Sequence, residues 1–422
     1  LTAAGWVEAG EFLEEAVQAA KQNMQDGHIP PELPGLSNQE DAAEFDGFGE
    51  FPDFEKLQAM GDTELREAVE ELFRRCQEIG ASDLHLTGNA RPRIRHHREI
   101  VYLSDQPLPN DLARRMNYAL LTPEQHKAFE RDLDLDYALT VGSGDGDGFR
   151  TRFRANLIAH TKGISGVYRI IAPQLLSLEE LGFPNAADIR KLLDYHNGII
   201  LVTGPVGSGK TTTLASLVNE LNHSRQEHII TVEDPIEVMQ DSQKSIVTQR
   251  EVGAHTKSFA SALRSALRED PDIIVIGEMR NLETIEMAVT AAETGHLVIA
   301  TMHTRDAQTT LNRMLDVFPP TQQSQIRAMT AGSLRGILCQ RLLPSTDHKM
   351  VIASELMINT TAVANIVREG KDTGLESAMQ SGRRQGMRTM DESLDALLEE
   401  GKISQAVADM NRPDFQFNDR ET

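Results

Sequence analysis

Gly204, Pro205, Val206, Gly207, Ser208, Gly209, Lys210 and Thr211, followed by Thr212, carry the spacing GxxxxGK[ST]. Small residues at the glycine positions let successive backbone N–H groups turn inward around phosphate oxygens. Lys210 would then reach the β- and γ-phosphates of a nucleotide, and the Thr211 hydroxyl would bind Mg²⁺. The apolar run 198–203 reads as a strand. Residues 212–221 read as a helix that points its positive dipole end at the anion. That setting between strand and helix disfavours a merely decorative glycine turn.

Acids and histidines surround the loop in sequence. Glu233 and Asp234, before Pro235, fall at the carboxyl end of a second apolar strand, the edge at which open parallel sheets hold ligands. Either acid would orient water or Mg²⁺, while the other caps a turn. The run 272–276 resembles a Walker B strand, with Gly277 where an Asp usually stands and the acid one residue later as Glu278. A carboxylate there accepts hydrogen bonds from an attacking water and aligns it with the γ-phosphate; the alternative is a simple pair with Arg280. His296 and His303 flank a further strand without a third ligand at zinc spacing. His303 is either a strand-end structural residue or a phosphate contact that senses the bound state. Arg150, Arg152, Arg154 and Arg169 alternate along two strands, as a solvated basic face or as charges brought over a triphosphate by domain closure.

The elements that must position these groups follow from periodicity. Apolar strands at 199–203, 229–232, 273–276 and 297–301 alternate with helical patterns, which predicts a parallel sheet covered by helices. Ahead of them, residues 60–172 read as an α+β domain. It has a helix at 64–79 ending at Gly80, and strands near 83–86, 93–96, 100–103, 135–141, 149–158 and 166–171. A glycine-rich hairpin loop at 142–148 separates two of these strands. Residues 173–184 read as a linker, 185–355 as the nucleotide-binding domain and 356–422 as a mainly helical region. Residues 1–59 read as an acidic, partly disordered extension with an amphipathic helix at 11–24. The chain carries −22 over 422 residues, and thirteen acids against Lys21 and Lys56 place −11 of it in the first 60. That balance disfavours nucleic acid as a partner. Apolar runs are too short for a membrane span, and Cys76 and Cys339 match neither a metal knuckle nor a disulfide framework.

In combination these blocks resemble the secretion-type hexameric ATPases, most closely the type IV pilus retraction motors (PilT/PilU-like). The resemblance runs over about 60–405. It rests on residues 80–86, the loop 204–211, an "Asp box" from Glu233 to Glu237, Arg268 to Asp272 leading into Gly277–Arg280, a "His box" from Glu293 to His303, and residues 340–344. It implies an α/β fold, a RecA-like P-loop core with a smaller N-terminal α+β PAS-like domain, and ATP with Mg²⁺ between the two. It further implies Glu278 as the catalytic Walker B glutamate, Glu233 as the Asp-box acid, His303 as the phosphate sensor, and Arg154 and Arg169 as the arginines that approach the nucleotide. Residues 362–369 align with a retraction motif whose Ile and Arg positions are not strictly kept.

The implied partners are five further copies in a homohexamer, an inner-membrane platform protein (PilC-like) and a paralogous retraction ATPase. The implied location is cytoplasmic, peripheral at the inner face of the cytoplasmic membrane. The runner-up is a pilus-extension or type II secretion ATPase, whose four-Cys metal subdomain Cys76 and Cys339 cannot supply. From a different class, a RecA-like DNA translocase would show basic pore loops.

Overall fold

The computed structural model describes residues 53–96, 99–142, 151–171, 175–347 and 349–412. The chain divides into a unit Leu1–Glu50 and a unit Phe51–Thr422, and the described residues all lie in the second. The helix expected at 11–24, the loop from 143 to 148, Arg150 and the tail from Pro413 lie outside the described residues.

The unit opens with α1 (Phe54–Ala59) and α2 (Asp62–Glu78). Gly80, at φ +73°, ends α2 as its sequence position predicts: its N–H bonds Gln77 O at 2.9 Å and Ala81 N–H bonds Cys76 O at 3.0 Å. This is the Schellman arrangement, which satisfies carbonyls a helix end would otherwise leave bare. There follow β1 (Asp83–Thr87), β2 (Arg93–His96), β3 (Glu99–Tyr102), α3 (Asn110–Tyr118), α4 (Pro123–Asp132), β4 (Asp134–Val141), β5 (Thr151–His160) and β6 (Gly163–Ile171). The strands form an antiparallel sheet in the order β3-β2-β1-β6-β5-β4.

Phe73 of α2 stands edge-on to Phe153 and Tyr168, 4.7 Å from each ring. Asn117 of α3 donates to Leu86 O at 3.1 Å and accepts the Tyr168 hydroxyl at 2.7 Å. Thr151, Phe153, Ala155 and Leu157 are buried on one face of β5. The two-residue period of a strand therefore puts Arg152 and Arg154 on the other face.

Beyond Pro184 come α5 (Ala186–Leu192), β7 (Gly198–Thr203), α6 (Lys210–Ser224), β8 (His228–Glu233), β9 (Ile246–Glu251), α7 (Phe259–Ala266) and β10 (Ile273–Ile276). After them lie α8 (Leu282–Glu293), β11 (Leu297–Met302), α9 (Ala307–Asp316), α10 (Pro320–Ser333), β12 (Leu334–Pro344) and β13 (Met350–Ile358). The sheet order is β13-β12-β7-β11-β10-β8-β9, parallel except for the β12–β13 pair. Every residue of β7, β10 and β11 is buried, as a parallel sheet with both faces covered requires. Alternate residues enter opposite cores. Ile199, Leu201, Ile274 and Ile276 join one, while Ile200, Val202, Ile273 and Val275 join the other.

The chain ends in α11 (Thr361–Glu369), α12 (Leu375–Ser381), α13 (Met390–Glu399) and α14 (Gln405–Asn411). Two expected boundaries shift. Residue 355 lies inside β13 rather than at the start of a helical region, and Val363, Val367, Leu375 and Met379 belong to the first core. In the expected linker, Leu178 and Phe183 are buried in the second core, because large apolar side chains there gain more by packing than by staying in a mobile connection.

Candidate active site

The loop after β7 is shaped by its glycines. Gly204 has φ +151°, and a Cβ there would meet Gln340 O at 2.3 Å and Ser208 Oγ at 2.5 Å. Gly207 and Gly209 have φ +77° and +85°, and Gly209 caps the N-terminus of α6. Left-handed turns of this kind aim backbone N–H groups into one concavity. From β12, Gln340 Nε2 donates to Ser208 O at 2.6 Å and braces the loop from behind. Ser208 Oγ is buried without a partner among the described residues. Val206 is exposed at the loop's tip, Thr211 is half-buried and Thr212 is exposed.

Lys210, the first residue of α6, is buried, and its Nζ donates to Gly204 O (2.9 Å) and Pro205 O (2.8 Å). A third contact, 3.2 Å, goes to His303 Nδ1. An ammonium only donates, so Nδ1 accepts and Nε2 carries the proton. His303 Nε2 then meets Glu278 Oε1 at 3.2 Å, and Glu278 Oε2 accepts from Arg280 Nη2 at 2.8 Å. The series Lys210–His303–Glu278–Arg280 thus spans the carboxyl ends of β7, β10 and β11. Burial pushes the Lys210 ammonium below its ordinary value, with Glu278 acting against the shift. For Glu278, burial acts upward, but the hydrogen bond from Arg280 and the neighbouring His303 outweigh it and hold the carboxyl below the ordinary range. The structure shows the pairing of Glu278 with Arg280 and places the acid at a strand end beside the loop, in contact with His303.

Gly277 explains the departure from the usual Walker B pattern. A Cβ at this position would sit 3.2 Å from Glu233 Cα and from Val232 O. Gly277 N–H bonds Val232 O at 2.7 Å, and its carbonyl accepts from Thr301 Oγ1 at 2.5 Å. The backbone there runs so close to β8 that a side chain would have to push one strand aside by a few tenths of an ångström, and the acid emerges one residue later.

The Asp box separates its two glutamates. Glu233 Oε1 accepts from Thr231 Oγ1 (2.6 Å) and Gln249 Nε2 (3.1 Å), and burial raises its pKa. Glu237, quoted in sequence only as part of the motif, lies within the electrostatic reach of Arg154, Thr211 and Arg169. Burial raises its pKa, and those three neighbours oppose the shift. Arg154 and Arg169 face each other in register on β5 and β6. Arg154 lies 3.8 Å from Asp136, and Arg169 pairs with Asp83 at 2.9 Å. Arg152 is engaged elsewhere, with Glu251 and the backbone of the Asp box.

The residues fit a nucleotide and Mg²⁺. The left-handed loop and helix start suit phosphate, and the Thr211 hydroxyl beside the Glu237 carboxylate offers the hard oxygens that Mg²⁺ prefers. No group of three His, Cys, Asp or Glu able to hold a metal by itself occurs among the described residues. Cys76 and Cys339 are both buried thiols, and no described helix is long and apolar enough to cross a membrane.

A parallel sheet with this loop, and an acid and a histidine on the adjoining strand ends, defines a RecA-like P-loop ATPase with a smaller antiparallel PAS-like domain ahead of it. The chain belongs to the Type II/IV secretion system protein family, whose pattern matches residues 58–418. It is similar to the type IV pilus retraction ATPase PilT of Pseudomonas aeruginosa, 42% identical over 340 residues, which are 81% of this chain and 96% of that one. It is also similar to a twitching motility protein of Neisseria gonorrhoeae, 41% identical over 318 residues, 75% of this chain and 83% of the other. Among solved structures, the pilus retraction motor PilT with bound ADP matches with a TM-score of 0.75 at 41% identity, covering 82% of this chain and 97% of that chain.

Proposed function

We propose that this ATPase is a type IV pilus retraction motor. It works as one of six identical subunits in a ring and turns an inner-membrane platform protein so that pilin subunits return to the membrane. The observation that carries the hydrolytic part is the hydrogen-bonded series Lys210–His303–Glu278 at the mouth of the loop. Likeness to retraction ATPases over nearly their whole length supports the direction of the motor.

In this reading Lys210 exchanges the carbonyls of Gly204 and Pro205 for β- and γ-phosphate oxygens. Glu278 accepts a proton from the water whose oxygen attacks the γ-phosphorus, while the bond from that phosphorus to the β–γ bridging oxygen breaks and ADP leaves. His303 Nε2–H orients the Glu278 carboxylate. Mg²⁺, held by Thr211 with Glu237 beside it, would supply charge neutralisation at the phosphate oxygens. We assign the Asp-box role to Glu237, since Glu233 is spent on Thr231 and Gln249. Closure of the N-terminal sheet would carry Arg154 and Arg169 onto the triphosphate, with the hinge before the buried Leu178. The ring would act from the cytoplasmic face of the membrane, beside a paralogous ATPase where one is present.

Imaging a deletion strain tests the proposal. Cells lacking the chain should be hyperpiliated, the wild-type gene should restore retraction, and Glu278→Gln should leave the cells hyperpiliated although the protein still binds ATP. Bald cells would instead assign an extension motor.

A further inference from the structure

Ile236 precedes Glu237 and is itself buried. Both of its backbone polar groups are held by one ion pair. Arg152 Nε of β5 donates to Ile236 O, and Arg152 Nη2 pairs with Glu251 Oε2. The same Glu251 oxygen accepts Ile236 N–H at 3.1 Å. Arg152 Nη1 also reaches Thr140 Oγ1 of β4 at 3.2 Å, which ties the guanidinium to its own sheet. Glu251 is the last residue of β9 and lies in register with Glu233 of β8. The pair is largely covered, with side-chain exposures of 15% for Arg152 and 11% for Glu251. Covered ion pairs add little net stability because desolvation offsets attraction, but their directional bonds fix geometry. Only a planar guanidinium presents two donors at the angles needed here; a lysine offers a single point charge.

We propose that Arg152 and Glu251 are positioning residues for Glu237, so that the placement of this carboxylate follows the placement of the N-terminal sheet. Among the described residues Arg152 has no hydrogen bond to the loop or to Thr211; it reaches the Asp box through the Ile236 peptide, and its charge also acts on the buried Glu233. The N-terminal sheet thus contributes two functions from one strand. Arg154 faces the site directly, and Arg152, two residues earlier, sets the acid opposite it. This deepens the hydrolytic reading above and rests on it.

The full chain is assayed for phosphate release from ATP with Mg²⁺ and for binding of a fluorescent nucleotide. Arg152→Lys and Glu251→Gln are tested singly, and each in combination with Glu237→Gln. Each single variant is expected to lower kcat by about tenfold or more, with nucleotide affinity within about twofold, as for an interaction that serves the transition state. In the Glu237→Gln background the same changes should cost less than about twofold further, since residues acting through one group are not additive. Equal losses in both backgrounds, or an unchanged kcat, would overturn the proposal. Glu251→Gln keeps an acceptor oxygen for Ile236 N–H, so the comparison survives if Arg152→Lys folds poorly. Absence of turnover in the wild type would remove the ATPase reading and this proposal together. Turnover that is lost in Lys210→Ala yet unimpaired in Arg152→Lys and Glu251→Gln removes the proposal alone.

Discussion

Glu278, Glu233 and Glu237 crowd around one loop, yet their surroundings push them in opposite directions. Burial acts upward on Glu278, but Arg280 and His303 prevail and hold its carboxyl below the ordinary value; burial carries Glu233 and Glu237 above theirs. A carboxyl with a raised pKa takes up its proton first as pH falls, so Glu278 stays ionised while the other two are neutralised. The acid limb of kcat/KM is therefore expected to report Glu237, above the pH at which an ordinary carboxylate titrates. Glu233→Gln should leave that limb in place, because its contacts to Thr231 and Gln249 are local. A pH profile in which Glu233→Gln abolishes the limb, or in which the limb lies below the ordinary carboxylate range, would reverse the assignment. In the sequence, Glu233 stands as the Asp-box acid with Asp234 as its alternative, and Glu237 enters only as the end of the motif. Glu233 ends β8 and Glu237 follows four residues later, and only the course of the chain after Pro235 brings Glu237 within the influence of Thr211.

At the level of elements, the exit of β10 decides where Glu278, the proposed catalytic acid, stands. A methyl group at position 277 would press on the Val232–Glu233 backbone at 3.2 Å, and one of the two strands must shift by a few tenths of an ångström. Gly277→Ala is expected to keep nucleotide affinity while lowering turnover by about tenfold, since ångström-scale misplacement of a reacting group costs up to about a hundredfold. Steady-state turnover alongside nucleotide titration checks this, and an unchanged kcat would show that Glu278 tolerates the shift. The strands that frame this site were readable because continuous apolar runs such as 273–276 have one stable home, a sheet covered on both faces. Others were not. β9 is an edge strand with Thr248, Gln249 and Arg250 along its length, β12 follows α10 without a turn residue between them, and α3 and α4 are short and polar. In each case tertiary pairing, and not local pattern, selects the structure.

For the molecule as a whole, what matters is that in the proposed mechanism two sheets of different construction share one site. The parallel sheet supplies the loop, the acids and the histidine; the antiparallel sheet supplies Arg152, Arg154 and Arg169 from one outward face. The loop was legible from eight residues, whereas the arginines were legible only as an alternation, and their separate tasks emerged from the partners each one meets. Arg154 and Arg169 lie directly opposite one another across β5 and β6. Like charges so placed repel, and Asp136 and Asp83 offset only part of that. Such a pair reaches outward through its field, and dissolved salt shortens that reach from about 10 Å at 0.1 M to about 3 Å at 1 M. The covered contacts of Lys210 are far less sensitive. Hold on ATP should thus carry an ionic-strength dependence lodged in two residues. Raising potassium chloride should increase KM for ATP in the wild type and do so less in Arg154→Gln or Arg169→Gln. The same KM rise in both variants as in the wild type would place that sensitivity elsewhere.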